Sequence, residues 1–543
     1  MAKEDKRLNE LEKGELARFL TRSEPLGPIA AERMINHDLA ARRLFERQND
    51  IHSQLFSTSG IVIGRRGAGK TAFLDHLRAS RATNEVVYLN APDVFPSILK
   101  SIRGVFGVNS PPVEVVAHLW ELLIWSAVFA TLLRGESDAR LIGIRRFAND
   151  FGFSEADAPA EVIRQVVKNL TARSAASGSS VDSRLDLLEL ADGPQEIYSN
   201  ALQAAREIIS SPAIARRKAE ILVLMDTMED YRLAQDVAND ALGGLVRYLG
   251  VHAQTEQLID VRFCLPAELY ETFRRASSNS AKDFGTQAVL HWSAGELWRI
   301  AAHRLALYLE IHDPAAFERL GAEHASNDRA GAIAFFLKLL PSTIACETHV
   351  EQSLTHIARH TQLLPRDLIH ILNRIISRAI APASNILGEI TPKMVVEGVG
   401  EAEPIIAGGI RSAFYYRYPH FYEICASAIP ELRRRFNDGD LHTVFNQSVK
   451  GVLKRIGDAG GDAEMSYHDF KRMLVETGVL GKQIDETEMF WECQFEYTVP
   501  GEMVISTQDM LCVHPLFNAV FPSAVNGKSP KLIYPYGIQH DND

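Results

Sequence analysis

The eight residues GRRGAGKT, at positions 64–71, leave few folds open to this chain. They satisfy the pattern GxxxxGK[ST], an apolar run at 61–63 precedes them, and a helical pattern follows. A glycine-rich loop between a strand and a helix directs backbone N–H groups and the positive end of the helix dipole at phosphate oxygens. The sequence therefore predicts a nucleotide-binding loop (a P-loop) in an α/β fold.

Each polar residue of the predicted loop has an expected role. Lys70 would reach the β- and γ-phosphates of a nucleotide, and the Thr71 hydroxyl would bind Mg²⁺. The expected cofactors are therefore ATP and Mg²⁺. The nucleotide-binding residues that the loop predicts are Gly64, Gly67, Gly69, Lys70, Thr71 and Ala72.

This chemistry also needs an acidic residue at the end of another strand. Residues 221–225 form an apolar run that ends in Asp226, which is typical of a buried parallel strand with an acid at its carboxyl edge. Asp226 would hold Mg²⁺ through water. Either Glu229 or Asp230 would polarise the attacking water, and the sequence leaves open which of them does.

The stretch from Asp226 to Asp230 (DTMED) resembles the Walker B segment of STAND and KAP-type ATPases, within the AAA+ and origin-recognition-like group. Residues 288–304 resemble the strand-to-lid junction of those proteins, and 362–369 resemble their lid-helix motif. Residues 474–515 resemble the winged-helix end of bacterial relatives. The resemblance covers about residues 55–520 and implies an ATPase core, a helical lid and a C-terminal winged helix.

The resemblance also implies roles for three arginines. Arg366, directly after Pro365, matches the sensor 2 residue that reaches the γ-phosphate. Arg274 and Arg275 occupy the slot of the arginine finger, which would act on the nucleotide of a neighbouring subunit and make the protein a homo-oligomer. A solvated surface pair is the alternative interpretation of these two residues.

Two features depart from the family pattern. The strand at 261–265, in the sensor 1 position, is followed by Pro266 and Ala267 instead of a polar residue or an arginine. Lys70 and Asp226 are also 156 positions apart, about twice the usual spacing in a compact AAA+ core. A mostly helical insertion is therefore expected at about 100–215.

The expected fold class is α/β, with a three-layer P-loop NTPase core of five strands at 60–63, 85–89, 221–225, 261–265 and 287–291. Glycines and Pro404 between 398 and 409 predict a domain boundary. The predicted divisions are a helical N-terminal extension (1–50), a core with its insertion (51–292), a helical lid (293–400), a winged-helix-like domain (410–522) and a flexible tail (523–543).

Charge and composition restrict the partners. The chain carries 58 Lys and Arg against 69 Asp and Glu, and residues 411–543 carry 13 against 18, which argues against strong duplex binding through Lys471, Arg472 and Lys482. The longest apolar run, 122–133, is shorter than the roughly 20 residues of a membrane span. Five scattered cysteines without a CxxC pair favour a reducing compartment, so we expect a cytoplasmic protein.

The expected function is an ATP-binding and hydrolysing switch that assembles or changes conformation to control a separate effector protein. The resemblance to bacterial STAND and KAP-type families implies a role in antiphage defence. The alternative is a DNA-binding, origin-recognition-like or transposition-regulator AAA+ ATPase, which would share the same core, lid and winged helix. A small-molecule kinase fits poorly, because a lid and a winged helix would have no purpose in it.

Overall fold

The chain folds into two compact units. One is Arg47–Leu290, here called the sheet unit, and the other combines Met1–Glu46 with His291–Asp543 and is called the discontinuous unit. The computed structural model describes residues 7–34, 37–45, 60–81, 85–106, 111–134, 141–178, 181, 184–193, 196–210, 221–226, 236–255, 258–270, 287–346, 349–415, 417–460, 464–498, 503–521 and 531–538.

Five parallel strands form the centre of the sheet unit, in the order β2-β3-β4-β1-β5. Their predicted positions are correct to within two residues, and the α/β class is confirmed. Four of the strands are almost continuously buried, as expected of a parallel sheet covered on both faces. The strands are β1 (Ile61–Gly64), β2 (Val86–Leu89), β3 (Ile221–Met225), β4 (Ile259–Pro266) and β5 (Gln287–Leu290).

Helices connect these strands, in an arrangement compatible with a three-layer core. Helix α3 (Lys70–Ala79) follows β1, and α10 (Asp236–Thr255) precedes β4. The described part of the chain between β2 and β3 is helical. Its helices are α4 (Ala91–Phe106), α5 (Val113–Leu133), α6 (Ile142–Phe151), α7 (Pro159–Ser177), α8 (Arg184–Asp192) and α9 (Ile197–Ile209).

Helix α5 is the apolar centre of this helical region. It is the one helix in the described residues long and apolar enough to cross a membrane, yet 83% of its most apolar stretch is buried inside the protein. Its buried hydroxyls are satisfied locally: Ser126 Oγ donates to the carbonyl of Leu122 at 2.7 Å. The indole of Trp120 donates to the carbonyl of Ala241 on α10 at 2.8 Å, so α5 packs as a core helix.

The discontinuous unit begins with α1 (Glu10–Leu16) and α2 (Asp38–Arg43), and its largest part follows β5. A hairpin of β6 (Thr343–Cys346) and β7 (His349–Gln352) interrupts the helices of the region predicted as a lid. The helices up to residue 414 are α11 (Ala294–His312), α12 (Pro314–Leu320), α13 (Arg329–Leu339), α14 (Ser353–Arg359), α15 (Pro365–Ala379) and α16 (Pro392–Phe414).

The N-terminal segment is fixed to α11 and α15 by hydrogen bonds. Glu310 accepts the backbone N–H of Leu8 at 2.9 Å. The buried guanidinium of Arg304 donates to the carbonyl of Leu26 at 3.2 Å, and Asn373 receives the N–H of the same residue at 2.8 Å. Polar side chains that are buried on the two helices thereby find their partners in this segment.

The domain boundary predicted between 400 and 410 is wrong, because α16 is continuous from 392 to 414. Thr391 caps the helix and Pro392 starts it, a favourable beginning. Gly398 lies in the packing contact with α15, where a Cβ would come within 2.5 Å of Ile375. Pro404 has no N–H to donate to the carbonyl of Gly400. Gly400 is exposed, so water can take the place of the missing donor.

Residues 435–535 contribute a second five-stranded sheet, in the order β12-β10-β9-β11-β8. The prediction of a flexible tail over 523–543 is wrong for residues 532–535, which form β12 and pair in parallel with β10. The elements of this C-terminal region are α17 (Phe421–Ala428), β8 (Arg435–Asn437), α18 (Asp438–Val444), α19 (Lys450–Asp458), α20 (Tyr467–Glu476), β9 (Leu480–Glu486), β10 (Phe490–Gln494), β11 (Met510–Val513) and β12 (Leu532–Pro535).

A cluster of ionisable side chains is buried among β7, α14 and α16. Glu351 accepts from the guanidinium of Arg359 at 2.9 and 3.0 Å, and His356 Nδ1 lies 2.7 Å from the same carboxylate. His360 is hydrogen-bonded to Glu403. Burial raises the pKa of Glu403 to about 7, while burial and the charge of Arg359 lower the pKa of His360. Below neutral pH, Glu403 is therefore mainly protonated beside a neutral His360.

Candidate functional site

The loop between β1 and α3 has the backbone conformation that its glycines predict. Gly67 and Gly69 have φ of 93° and 97°, the left-handed region that residues with a side chain rarely adopt. No heavy atom lies within 4 Å of the position that a Cβ on Gly69 would take, so this side of the loop faces open space. Helix α3 starts at Lys70, directly after this glycine, and has no side-chain cap.

Lys70 lies across the loop. Its side chain is only 3% exposed, and Nζ donates to the carbonyl of Gly64 at 2.9 Å and to that of Arg65 at 3.1 Å. Gly64 is itself closely surrounded, since a Cβ there would lie 3.3 Å from the Cβ atoms of Ala68 and Leu290. The ammonium group is thus held against the backbone of the predicted phosphate-binding loop.

Asp226 lies directly after β3, and the fold brings it to the start of α3. Its backbone N–H donates to the carbonyl of Leu89 at 2.9 Å, which fixes it against β2, and it is 6% exposed. The hydroxyl of Thr71 donates to Asp226 Oδ1 at 3.3 Å. The hydroxyl and the carboxylate predicted to hold a metal ion are therefore neighbours, although 155 positions separate them.

Tyr88, on β2, holds the other oxygen of this carboxylate. Its hydroxyl donates to Asp226 Oδ2 at 3.1 Å. Burial and the negative charge of Asp226 raise the pKa of Tyr88, so the phenol remains a protonated donor. Tyr88 belongs to none of the motifs that predict the site. The available signal was a hydroxyl-bearing aromatic residue near the carboxyl end of the strand predicted at 85–89.

Glu268 is a second residue that the sequence analysis missed. It follows β4 in a short 3₁₀ turn, Ala267–Leu269, and its Oε1 accepts the backbone N–H of Arg66 at 2.9 Å. Its other oxygen, Oε2, is buried and has no hydrogen-bond partner among the described residues. The carboxylate of Glu268 therefore accepts a backbone N–H of the loop. Glu268 directly follows Pro266 and Ala267, the two residues after the strand in the sensor 1 position.

Four predicted site residues, Glu229, Asp230, Arg274 and Arg275, lie outside the described residues. Arg366 is partly buried at the second position of α15, in the discontinuous unit, and its role as a phosphate sensor stays a prediction. The lid-helix motif around it is ordered by Asp367, whose carboxylate accepts the N–H of Gln362 at 3.1 Å.

The basic residues considered for contact with DNA already have partners within the C-terminal region. Lys471 Nζ lies 2.7 Å from Asp438, and Arg472 lies 2.7 Å from Asp469. Lys482 donates to the carbonyl of Val504 at 2.9 Å. These intramolecular contacts reduce the positive field that α20 and β9 could present to phosphates.

Among the described residues, no group of three or more His, Cys, Asp and Glu side chains is placed to hold a metal ion. Thr71 and Asp226 offer one hydroxyl and one carboxylate. That small oxygen set suits Mg²⁺, which keeps several waters and takes ligands from substrate phosphates, better than a metal enclosed by protein ligands. No protein-family model matches the chain, and the comparison with curated proteins found no significant similarity.

Proposed function

We propose that the loop at 64–71 binds the phosphates of ATP together with Mg²⁺, and that the chain hydrolyses ATP as a molecular switch. The observation that carries this proposal is the joint placement of the left-handed glycine loop, Lys70, Thr71 and Asp226 at the carboxyl end of the sheet. Strand β1 lies between β4 and β5, while the chain passes from β1 outward to β2. Parallel α/β sheets bind ligands at the carboxyl ends of their strands, at points where the strand order reverses in this way.

The roles of the site residues follow from their atoms. Lys70 would exchange the carbonyls of Gly64 and Arg65 for phosphate oxygens, which are stronger acceptors for an ammonium group. Thr71 would present its hydroxyl oxygen to Mg²⁺ while its hydrogen stays directed at Asp226. Asp226 would orient water molecules around the same ion. Bound Mg²⁺ would neutralise charge that develops on the phosphates.

The rest of the proposed switch rests on the family resemblance. Glu229 or Asp230 would polarise the attacking water, and Arg366 would report the γ-phosphate to the helical region at 293–400. Arg274 and Arg275 would complete the site of a neighbouring subunit, so that ATP drives homo-oligomer formation. The resulting assembly would control a separate effector protein, and the resemblance to bacterial defence ATPases gives antiphage immunity as the context.

Nothing in the described residues favours the DNA-binding alternative over this switch. Residues 411–543 have five more acidic than basic residues, from 18 against 13. The basic side chains of α20 are paired with acidic ones. Assembly that requires duplex DNA is therefore the result that would replace the proposed function.

The decisive test is binding of a fluorescent ATP analogue, with phosphate release measured in parallel. Lys70→Ala should weaken binding about 100-fold, because it removes charged hydrogen bonds worth roughly 1.5–3 kcal/mol each. Glu229→Gln and Asp230→Asn should both retain binding, and the one that removes the water-polarising acid should lose hydrolysis. Lys168→Ala, at an exposed position of α7 in the same unit, is the matched control and should behave as wild type. Equal binding by wild type and Lys70→Ala would refute the site.

Assembly is tested separately by light scattering behind size-exclusion chromatography. Wild type and Glu229→Gln are compared without nucleotide, with ADP and with ATP, each in the presence and absence of duplex DNA. A defined oligomer in ATP alone supports the switch. Assembly that requires DNA would instead support the origin-recognition-like alternative.

A further inference from the structure

Both oxygens of the Asp226 carboxylate are engaged, and by different kinds of residue. Oδ1 receives the Thr71 hydroxyl at 3.3 Å, and Oδ2 receives the Tyr88 hydroxyl at 3.1 Å. Thr71 lies at the start of α3, beside the loop. Tyr88 lies on the outermost strand, β2, which is paired with β3. The carboxylate therefore cannot rotate without breaking a contact on one side.

The two hydrogen bonds to Asp226 differ in their position relative to the expected metal site. A threonine hydroxyl has one hydrogen to donate and two lone pairs, so Thr71 can keep its hydrogen directed at Oδ1 while its oxygen binds a metal ion. The phenol of Tyr88 donates to the other oxygen, Oδ2, and so leaves Oδ1 on the side of Thr71. The Tyr88 hydrogen bond can therefore persist when Thr71 and Oδ1 face a bound metal ion.

We propose that Tyr88 is a positioning residue for Mg²⁺, which fixes Asp226 so that Oδ1 faces Thr71 and the metal site. This inference rests on the proposed function, because it assigns a role within the same nucleotide site. Groups that hydrogen-bond to a metal-binding carboxylate commonly change metal affinity by 10- to 100-fold when they are removed. A tyrosine hydroxyl is well suited to this role, because the ring is fixed in a β-strand and the donor has one acceptor to serve.

A purely structural role for Tyr88 gives a different expectation. In that case the hydroxyl would only satisfy a buried carboxylate, and its loss would lower the stability of the sheet unit. The response to Mg²⁺ would then be unchanged. The two roles are separated by measuring nucleotide affinity as a function of free Mg²⁺.

The experiment titrates Mg²⁺ into the full chain with a fluorescent ATP analogue, starting from EDTA. Tyr88→Phe keeps the ring and removes only the hydroxyl. It should raise the Mg²⁺ concentration for the half-maximal effect by about 10-fold or more, with affinity in EDTA unchanged. Tyr198→Phe is the control, because Tyr198 is a buried tyrosine of the same unit whose hydroxyl has no hydrogen-bond partner among the described residues. It should show the wild-type response.

A double-mutant cycle supplies the second readout. In an Asp226→Asn background, Tyr88→Phe should change the Mg²⁺ response no further, since the carboxylate that it orients is gone. An unchanged Mg²⁺ response in Tyr88→Phe, or an equal loss of affinity in EDTA, would overturn the role of Tyr88 while leaving nucleotide binding established. Failure of the wild type to bind the analogue would overturn both proposals.

Discussion

Two glycines of α16 differ in their surroundings and provide a matched pair of substitutions. A Cβ on Gly398 would lie 2.5 Å from Ile375 Cγ1 and 3.1 Å from the backbone nitrogen of the same residue. A Cβ on Gly400, two positions along the same helix, would have no neighbour within 4 Å. Gly398→Ala therefore introduces a methyl group into a helix contact, whereas Gly400→Ala introduces one into open space.

The expected energies follow from two opposing effects. Replacing a helical glycine by alanine favours the helix by about 1 kcal/mol in both variants. Gly398→Ala additionally forces α15 and α16 apart, because the clash involves backbone that cannot rotate away, and such overpacking costs about 1–3 kcal/mol. Since the helix term is common to both variants, the difference between them measures the steric cost alone.

Hydrogen–deuterium exchange detected by mass spectrometry resolves this difference locally, in peptides from α15 and α16. Gly400→Ala should slow exchange about fivefold relative to wild type. Gly398→Ala should exchange about 5- to 150-fold faster than Gly400→Ala, which corresponds to 1–3 kcal/mol. Equal protection in the two variants would refute the close packing of Gly398 against Ile375.

Two further predictions concern single carboxylates. Burial raises the pKa of Glu403 from its ordinary value near 4.5 to about 7, so its contribution to stability is lost as pH rises through this range. Glu403→Gln removes this titration, and its stability relative to wild type should rise by up to about 3 kcal/mol between pH 4.5 and 8 in thermal unfolding. Glu268→Gln removes a negative charge from the N–H of Arg66 and should tighten binding of the ATP analogue about tenfold.

Specific results would contradict each of these two predictions. A constant stability difference between wild type and Glu403→Gln across that pH range would contradict the protonation of Glu403 in the folded state. Weaker nucleotide binding by Glu268→Gln would mean that this carboxylate assists nucleotide binding instead of competing with the phosphates. Lost hydrolysis with unchanged binding would place Glu268 among the catalytic residues.

The central sheet could be predicted because its signals are local. Strands β1, β2 and β3 are runs of four or five mostly apolar residues, as expected when both faces of a parallel strand are buried. Asp226 could be found for the same reason, since it directly follows such a run. The glycine loop likewise carries its conformation in its own sequence.

The partners of the site could not be predicted, because they depend on which strands become neighbours. Tyr88 reaches Asp226 across 138 positions, and Glu268 reaches Arg66 across 202. The boundary near Gly400 failed because glycine and proline were interpreted by local propensity, whereas packing against α15 determines the outcome there. Strand β12 was missed because its pairing with β10 leaves no local periodicity in four residues.

The discontinuous unit has a consequence for biosynthesis. Leu8 donates to Glu310, 302 positions later, so the N-terminal segment has to wait for this partner on the order of 15–60 s at ordinary rates of translation. Every strand of the parallel sheet is synthesised before Glu310. During that interval Leu16 and Leu20, which are fully buried in the finished protein, are exposed to solvent or to chaperones.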